Sequence, residues 1–219
     1  MQLNYKNLMN LPLFLGLSEK ELTDITRSTR FNLRHHKKGS VIVEEGEACT
    51  SLVSVVEGWM DIETYADNRS YYLEERIQAV QSLEPDKLFG LSPHYLSTCK
   101  AHTTCESISI SKEELTQLFE RYIIIRLNFL NIICRRTQII ERLPWKQKKK
   151  DLCELIVAFV RNRSIYPAGH KRLFIKMAQL AEELCTSRME ISNALNALNT
   201  ADKIILHRGV IEIPALQLL

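Results

Sequence analysis

The sequence predicts an α+β protein in three parts: short antiparallel strands, then one long helix, then a compact group of helices closed by a hairpin. Three observations carry this prediction. Short apolar runs alternate with turn residues between positions 41 and 110. Apolar residues recur in steps of three and four between 112 and 143, with no Gly or Pro. Beyond Pro144, amphipathic helical patterns lead into two β-type runs joined by Arg208-Gly209.

The strand-rich part opens with a helix. Ser18, followed three residues later by Glu21, forms a capping-box signature. Strands are then expected at Val41–Val43, Leu52–Val56, Trp59–Tyr65, Tyr71–Leu73, Ile77–Val80 and Ala101–Ile110, with turns at Glu45-Gly46-Glu47 and Glu57-Gly58. Closely spaced strands of this kind build a small antiparallel barrel or sandwich. A helix of this length between unlike halves fits a dimer seam. That seam would use Ile123, Leu127, Leu130, Cys134 and Thr137, then Ile140 or Glu141, with one break near Tyr122. The parts are expected at 1–110, 111–144 and 145–219.

Composition narrows the function. The 219 residues are 45% hydrophobic and 25% charged, the balance of a globular protein. No apolar run approaches membrane-spanning length and the N-terminus lacks a signal-peptide pattern, so a cytoplasmic protein is expected. Six scattered cysteines show neither a disulfide framework nor zinc spacing, and neither metal nor cofactor is expected. No nucleophile-elbow, phosphate-loop or metal-protease motif occurs, so no catalytic residue is assigned. Residues 142–219 hold 13 basic against 7 acidic side chains, a net +6 on a chain whose total is +3. A basic back half suits a polyanionic partner.

The last part starts with a helix over 151–162. Met177–Leu184 is a short helix with Leu180, Ala181 and Leu184 on one face. Thr186 and Ser187 cap the next, and Ser187 with Glu190 repeats the capping-box signature. In that helix Ile191, Ala194, Leu195 and Leu198 form the buried stripe. Arg188, Met189, Ser192, Asn193 and Asn196 are left on the opposite face. Arginine and asparagine there match guanine and adenine edges in a major groove. The β-type run at 203–207, the Arg208-Gly209 turn and Val210–Ile213 complete the chain as a wing. Thr186, Ser187, Arg188, Met189, Glu190, Ser192, Asn193, Asn196, Arg208 and Lys148 are thus the candidate DNA contacts.

The pattern Leu180-Ala181, Ser187-Arg188, Ile191-Ser192, Leu195 and the wing resembles the winged helix-turn-helix of the Crp/Fnr family. Lys38-Gly39, Ile42, Glu45-Gly46-Glu47, Leu52, Val55 and Gly58 resemble the family's cyclic-nucleotide-binding barrel, a jelly roll or double-stranded β-helix. Leu13–Ser18 is similar to its opening helix, and Arg135-Arg136 to its dimer helix. The resemblance covers nearly the whole chain. It implies a bacterial homodimer that reads a two-fold-symmetric DNA site while the barrel senses a small-molecule effector, and it leaves room for RNA polymerase as a partner. A non-DNA, protein-contact role for the last part is the alternative.

Cyclic-AMP-binding members carry a phosphate cassette with a Gly-Glu pair and an arginine. Here Leu91 follows Phe89-Gly90 in the glutamate's place, Tyr95 or a neighbour falls at the arginine, and no arginine lies between Arg76 and Arg121. Ile140 and Glu141 fall where two hydroxyl residues meet the adenine. The resemblance thus implies a degenerate pocket around Phe89, Gly90, Leu91, Tyr95 and Ile140, and an effector other than cyclic AMP. Met189 and Asn193 replace two base-reading residues of cyclic-AMP-type members, so a different operator is expected. Cys185 stands at a turn position where glycine is frequent.

Overall fold

The computed structural model describes residues 5–141 and 151–219. Pro144, the lysine-rich run with Lys148, and the side chains of Ile140 and Glu141 lie outside the described residues. Two compact units emerge. One holds the described residues up to Met60 and from Gln78 to Glu141; the other joins Asp61–Ile77 to the residues from 151 onward.

The first unit begins with α1 (Tyr5–Met9) and α2 (Glu19–Ser28). The Ser18 hydroxyl accepts the Glu21 N–H at 3.3 Å, and the Glu21 carboxylate accepts the Ser18 N–H at 2.8 Å. The expected capping box is present, satisfying otherwise orphaned donors. The strands are β1 (Phe31–His36), β2 (Val41–Val43), β3 (Ser51–Glu57), β4 (Trp59–Tyr65), β5 (Tyr72–Gln78), β6 (Gln81–Ser82), β7 (Thr98–Ala101) and β8 (Cys105–Ser111). One antiparallel sheet has the order β1-β8-β3-β6. Its register sets Leu52 and Phe31 opposite Ile110. Alternation then places Phe31, Leu52, Ile108 and Ile110 on one face, where the Phe31 ring lies 6.4 Å from Phe14.

Several strands differ from expectation, β6 among them. β1 is an addition, because Asn32, Arg34, His35 and His36 mask its apolar alternation. One strand, Tyr72–Gln78, stands where the sequence predicts two runs. Residues 101–110 divide into β7 and β8, because the Trp59 carbonyl accepts the His102 and Thr103 N–H groups at 2.8 and 3.1 Å and turns the chain. Gly58 sits on this bend at φ +100°, where a Cβ would collide with the Thr104 carbonyl and the Cys105 sulfur. A residue without Cβ is required there.

α3 (Lys112–Arg121) and α4 (Ile123–Glu141) come next, parted at Tyr122 by extended backbone, as the sequence predicts. Ser111 caps α3, its hydroxyl accepting the Glu114 N–H at 3.2 Å. Ile125 and Phe129 bury the inner face of α4. Phe129 meets Phe119 at 5.2 Å and Phe89 at 5.7 Å.

The second unit holds α5 (Leu152–Arg163), β9 (Lys171–Phe174), α6 (Met177–Glu183), α7 (Arg188–Thr200), β10 (Ile205–His207) and β11 (Val210–Ile213). Its core joins Ile156, Phe159, Leu180, Ile191, Leu195 and Ile211 with Leu73 of the β4–β5 hairpin. β5 pairs antiparallel with β9, Tyr72 opposite Phe174 and Glu75 opposite Lys171, and the sheet order in this unit is β10-β11-β9-β5-β4. Tyr72 stacks on Phe174 at 4.2 Å and on Tyr65 at 4.8 Å. Glu75 and Lys171 are both fully buried, 2.9 Å apart. Glu75 also accepts the Ile165 and Tyr166 N–H groups at 2.7 and 3.0 Å, and Lys171 donates to the Ala168 carbonyl at 2.7 Å. Those extra bonds make a buried ion pair tolerable.

Candidate functional site

The α6–α7 unit is built as its sequence demands. Ala181 is small and buried where the helices approach. Cys185 takes the turn at φ +50°, a conformation that favours glycine. The Thr186 N–H returns to the Ala181 carbonyl at 2.9 Å, closing the turn. Ile191, Ala194, Leu195 and Leu198 are buried, as predicted. Arg188, Met189, Asn193 and Asn196 are exposed on the other side of α7, Met189 at 75% of its surface, and Ser192 is half-buried.

Glu190 is engaged at the helix start. Its carboxylate accepts from the Thr186 hydroxyl at 2.7 Å, the Ser187 hydroxyl at 2.7 Å and the Ser187 N–H at 3.0 Å, while the Ser187 hydroxyl accepts the Glu190 N–H. The Thr186 hydroxyl, then Ser187, hold its pKa down to about 2. Thr186, Ser187 and Glu190 therefore form a hydrogen-bonded cap, with Ser187 and Glu190 exposed beside Arg188, Met189, Asn193 and Asn196. The Asn199 side-chain oxygen accepts the Leu206 N–H at 3.2 Å, tying α7 to β10. Arg208 is exposed in the β10–β11 turn. On the same hairpin Glu212 lies 2.9 Å from His170 and 3.3 Å from His207, and the His170 hydrogen bond is the main cause lowering its pKa.

On α4, the side chains at heptad spacing face outward. Ile123 is 56% exposed, Leu127 48% and Leu130 51%, and Cys134 and Thr137 are exposed as well. They form an apolar stripe opposite Ile125 and Phe129.

In the first unit Phe89 joins the aromatic cluster with Phe119 and Phe129, with the Lys112 ammonium 4.8 Å from its ring. Gly90 lies at φ +104° and Leu91 is fully exposed. Tyr95 is buried, and its hydroxyl donates to the Ser51 carbonyl at 3.3 Å. Burial, then its bond with Cys49, pushes the phenol pKa up. Two features went unanticipated. Glu84 is buried at φ +36°, and its carboxylate accepts the Leu96 N–H at 2.8 Å and the Ser97 hydroxyl. Asp86 forms an ion pair with Arg136 of α4 at 2.8 Å. Neither Glu84 nor Asp86 carries a local signature, because both pairings depend on contacts distant in the chain.

Residues 33–122 match the cyclic nucleotide-binding domain family. No curated protein sequence matches the chain. Among solved structures, the catabolite activator protein of Thermus thermophilus is 19% identical with a TM-score of 0.51, over 94% of this chain and 95% of that one. A protein from Eubacterium rectale described as a transcriptional regulator of the Crp/Fnr family is 20% identical, with a TM-score of 0.53 over 93% and 94%. The sensor domain of the transcriptional regulator DNR from Pseudomonas aeruginosa is 18% identical, with a TM-score of 0.50 over 67% of this chain and 95% of that one. The match to the domain family is confined to residues 33–122 of the first unit. In fold the chain is similar to the Thermus thermophilus catabolite activator protein and to the Eubacterium rectale regulator.

Proposed function

We propose that this protein is a sequence-specific DNA-binding transcription regulator that acts as a homodimer on a two-fold-symmetric operator. One observation carries the reading: a capped helix with Arg188, Met189, Asn193 and Asn196 outward, packed on a second helix and followed by a hairpin with Arg208 at its turn. Exposed side chains near a helix N-terminus are the geometry of major-groove readout. Arg188 is the guanine reader, and Arg208 contacts phosphate. The barrel is the sensor, and the exposed stripe Ile123, Leu127, Leu130, Cys134 and Thr137 is the dimer seam. Lys148, which lies outside the described residues, is a further phosphate contact. The protein is cytoplasmic, and RNA polymerase is the partner such a regulator would meet at a promoter.

The barrel's effector is neither cyclic AMP nor cyclic GMP. The Leu96 N–H and Ser97 hydroxyl, which a cyclic phosphate could use, already serve the Glu84 carboxylate. A second anion beside it would be repelled in a low-dielectric interior.

Genome-wide mapping of bound DNA, followed by gel shift on the recovered site, tests the regulator reading. Arg188→Ala should lose roughly 1–3 kcal/mol at one base pair of each half-site. Arg208→Ala should weaken all sequences and flatten the salt dependence. Unchanged operator affinity in Arg188→Ala would refute the assignment of the reading helix.

A further inference from the structure

The face of the β1-β8-β3 sheet opposite Ile108 and Ile110 is polar. Strand alternation aligns Asn32, Arg34 and His36 on β1 with Ser107 and Ser109 on β8. The register sets Asn32 opposite Ser109 and Arg34 opposite Ser107. These side chains, with Arg30, wall a cavity of about 360 Å³. Ile42 and Val43 of β2, a strand that pairs with β7, also line it. Two polar residues of this lining, His36 and Ser107, are buried.

The lining has a definite charge character. His36 is buried, and its ring Nε2 lies 2.8 Å from the Ser107 hydroxyl. Burial, and then Arg34 and His35, lower its pKa, which keeps the ring neutral near pH 7. The Glu47 carboxylate also lines the cavity and accepts the Glu44 N–H at 3.4 Å. Among the described residues, neither the Arg30 nor the Arg34 guanidinium is paired with a carboxylate. Two unneutralised guanidinium groups on one wall attract an anion, and their planar forks match a carboxylate or phosphate. The serine hydroxyls and Asn32 both donate and accept, which suits a hydroxylated ligand body. A cleft of this size fits a small molecule.

We propose that this cavity is the barrel's effector site and binds a small hydroxylated oxyanion, of the sugar-phosphate or hydroxycarboxylate class. The proposal rests on the reading of the barrel as a sensor. It differs from a cyclic-nucleotide subsite, because the 84–97 segment is occupied by the Glu84 carboxylate.

Titration calorimetry on the full-length protein tests it, with glucose 6-phosphate and citrate as probes and glucose as the neutral control. At least one anion should bind saturably and glucose should not. The Arg30→Ala/Arg34→Ala double variant should weaken that binding at least tenfold; both side chains are exposed, so the fold should survive. Ser109→Val, which removes a hydroxyl without changing charge, should weaken it as well. Glu84→Ala should leave it unchanged. Absence of saturable binding by both anions overturns the proposal. So does full affinity in the arginine double variant, or loss of binding in Glu84→Ala alone. Gel shift of the unmodified protein separates the two readings: operator binding without anion binding removes only the effector site, whereas absence of operator binding removes the regulator.

Discussion

Glu84 takes up the hydrogen-bond donors of the 84–97 segment. A buried carboxylate must be hydrogen-bonded or it costs several kcal/mol, and it finds its donors at Leu96 and Ser97. Tyr95, in the place where the resemblance implies an arginine, is an uncharged phenol turned onto the Ser51 carbonyl. Leu91 points to solvent and offers no ribose acceptor. Cyclic AMP and cyclic GMP should therefore show no saturable binding in calorimetry below the millimolar range. Losing phosphate clamp and ribose contact together is worth on the order of a thousandfold in affinity. Low-micromolar binding of either would show that the 84–97 segment opens to a phosphate after all.

At the scale of the element, two helices carry predictions. The α7 cap depends on an ionised Glu190. Its folded pKa, about 2, lies below its ordinary 4.5. The stabilisation is therefore complete above pH 4.5 and is lost as pH falls through 2. Ser187→Ala removes the reciprocal hydroxyl and should cost about 1 kcal/mol of stability at neutral pH. Urea denaturation followed by far-UV circular dichroism at pH 7 and pH 2 checks both: the gap between parent and variant should shrink in acid. On α4, three large apolar side chains stand half exposed in one stripe, and burying such a side chain contributes about 1.5–3 kcal/mol. Sedimentation should give twice the 25.4 kDa chain mass, and Leu127→Glu should give the monomer. A parent protein that sediments as a monomer at micromolar concentration removes the seam and the two-fold operator with it.

At the scale of the whole molecule, the β4–β5 hairpin is the notable element. It leaves and re-enters the first unit along the chain, yet its strands complete the sheet of the second. Glu75 and Lys171 hold it there without exposure to solvent. Arg172 pairs with Glu74 at 3.1 Å, and Arg163 donates to the Tyr71 hydroxyl at 2.8 Å. Lys171→Met would leave the Glu75 charge buried and unpaired, which costs about 3–5 kcal/mol. The Glu75→Gln/Lys171→Met double variant removes both charges and should recover most of that loss. Thermal unfolding of parent, single and double variants measures the difference. Equal stability of the two variants would show that the ion pair does not hold the hairpin.

The sequence by itself determined the features that arise from local chemistry. Capping boxes at Ser18 and Ser187, the break at Tyr122, the buried stripe of α7 and the outward Arg188, Met189, Asn193 and Asn196 all rest on neighbours within a few residues. Periodicity and capping are local effects, so they can be read without a fold. Tertiary structure alone decided the pairings between distant residues. It set β5 beside β9 and Glu75 against Lys171, nearly a hundred residues apart. It filled the 84–97 segment with Glu84, and it made a strand of Phe31–His36 whose polar side chains line a cavity. Such pairings depend on which surfaces meet when the sheets close, and no local pattern encodes which strand will be the neighbour. A lysine next to an arginine in β9 reads as solvated charge until a buried glutamate is placed opposite it.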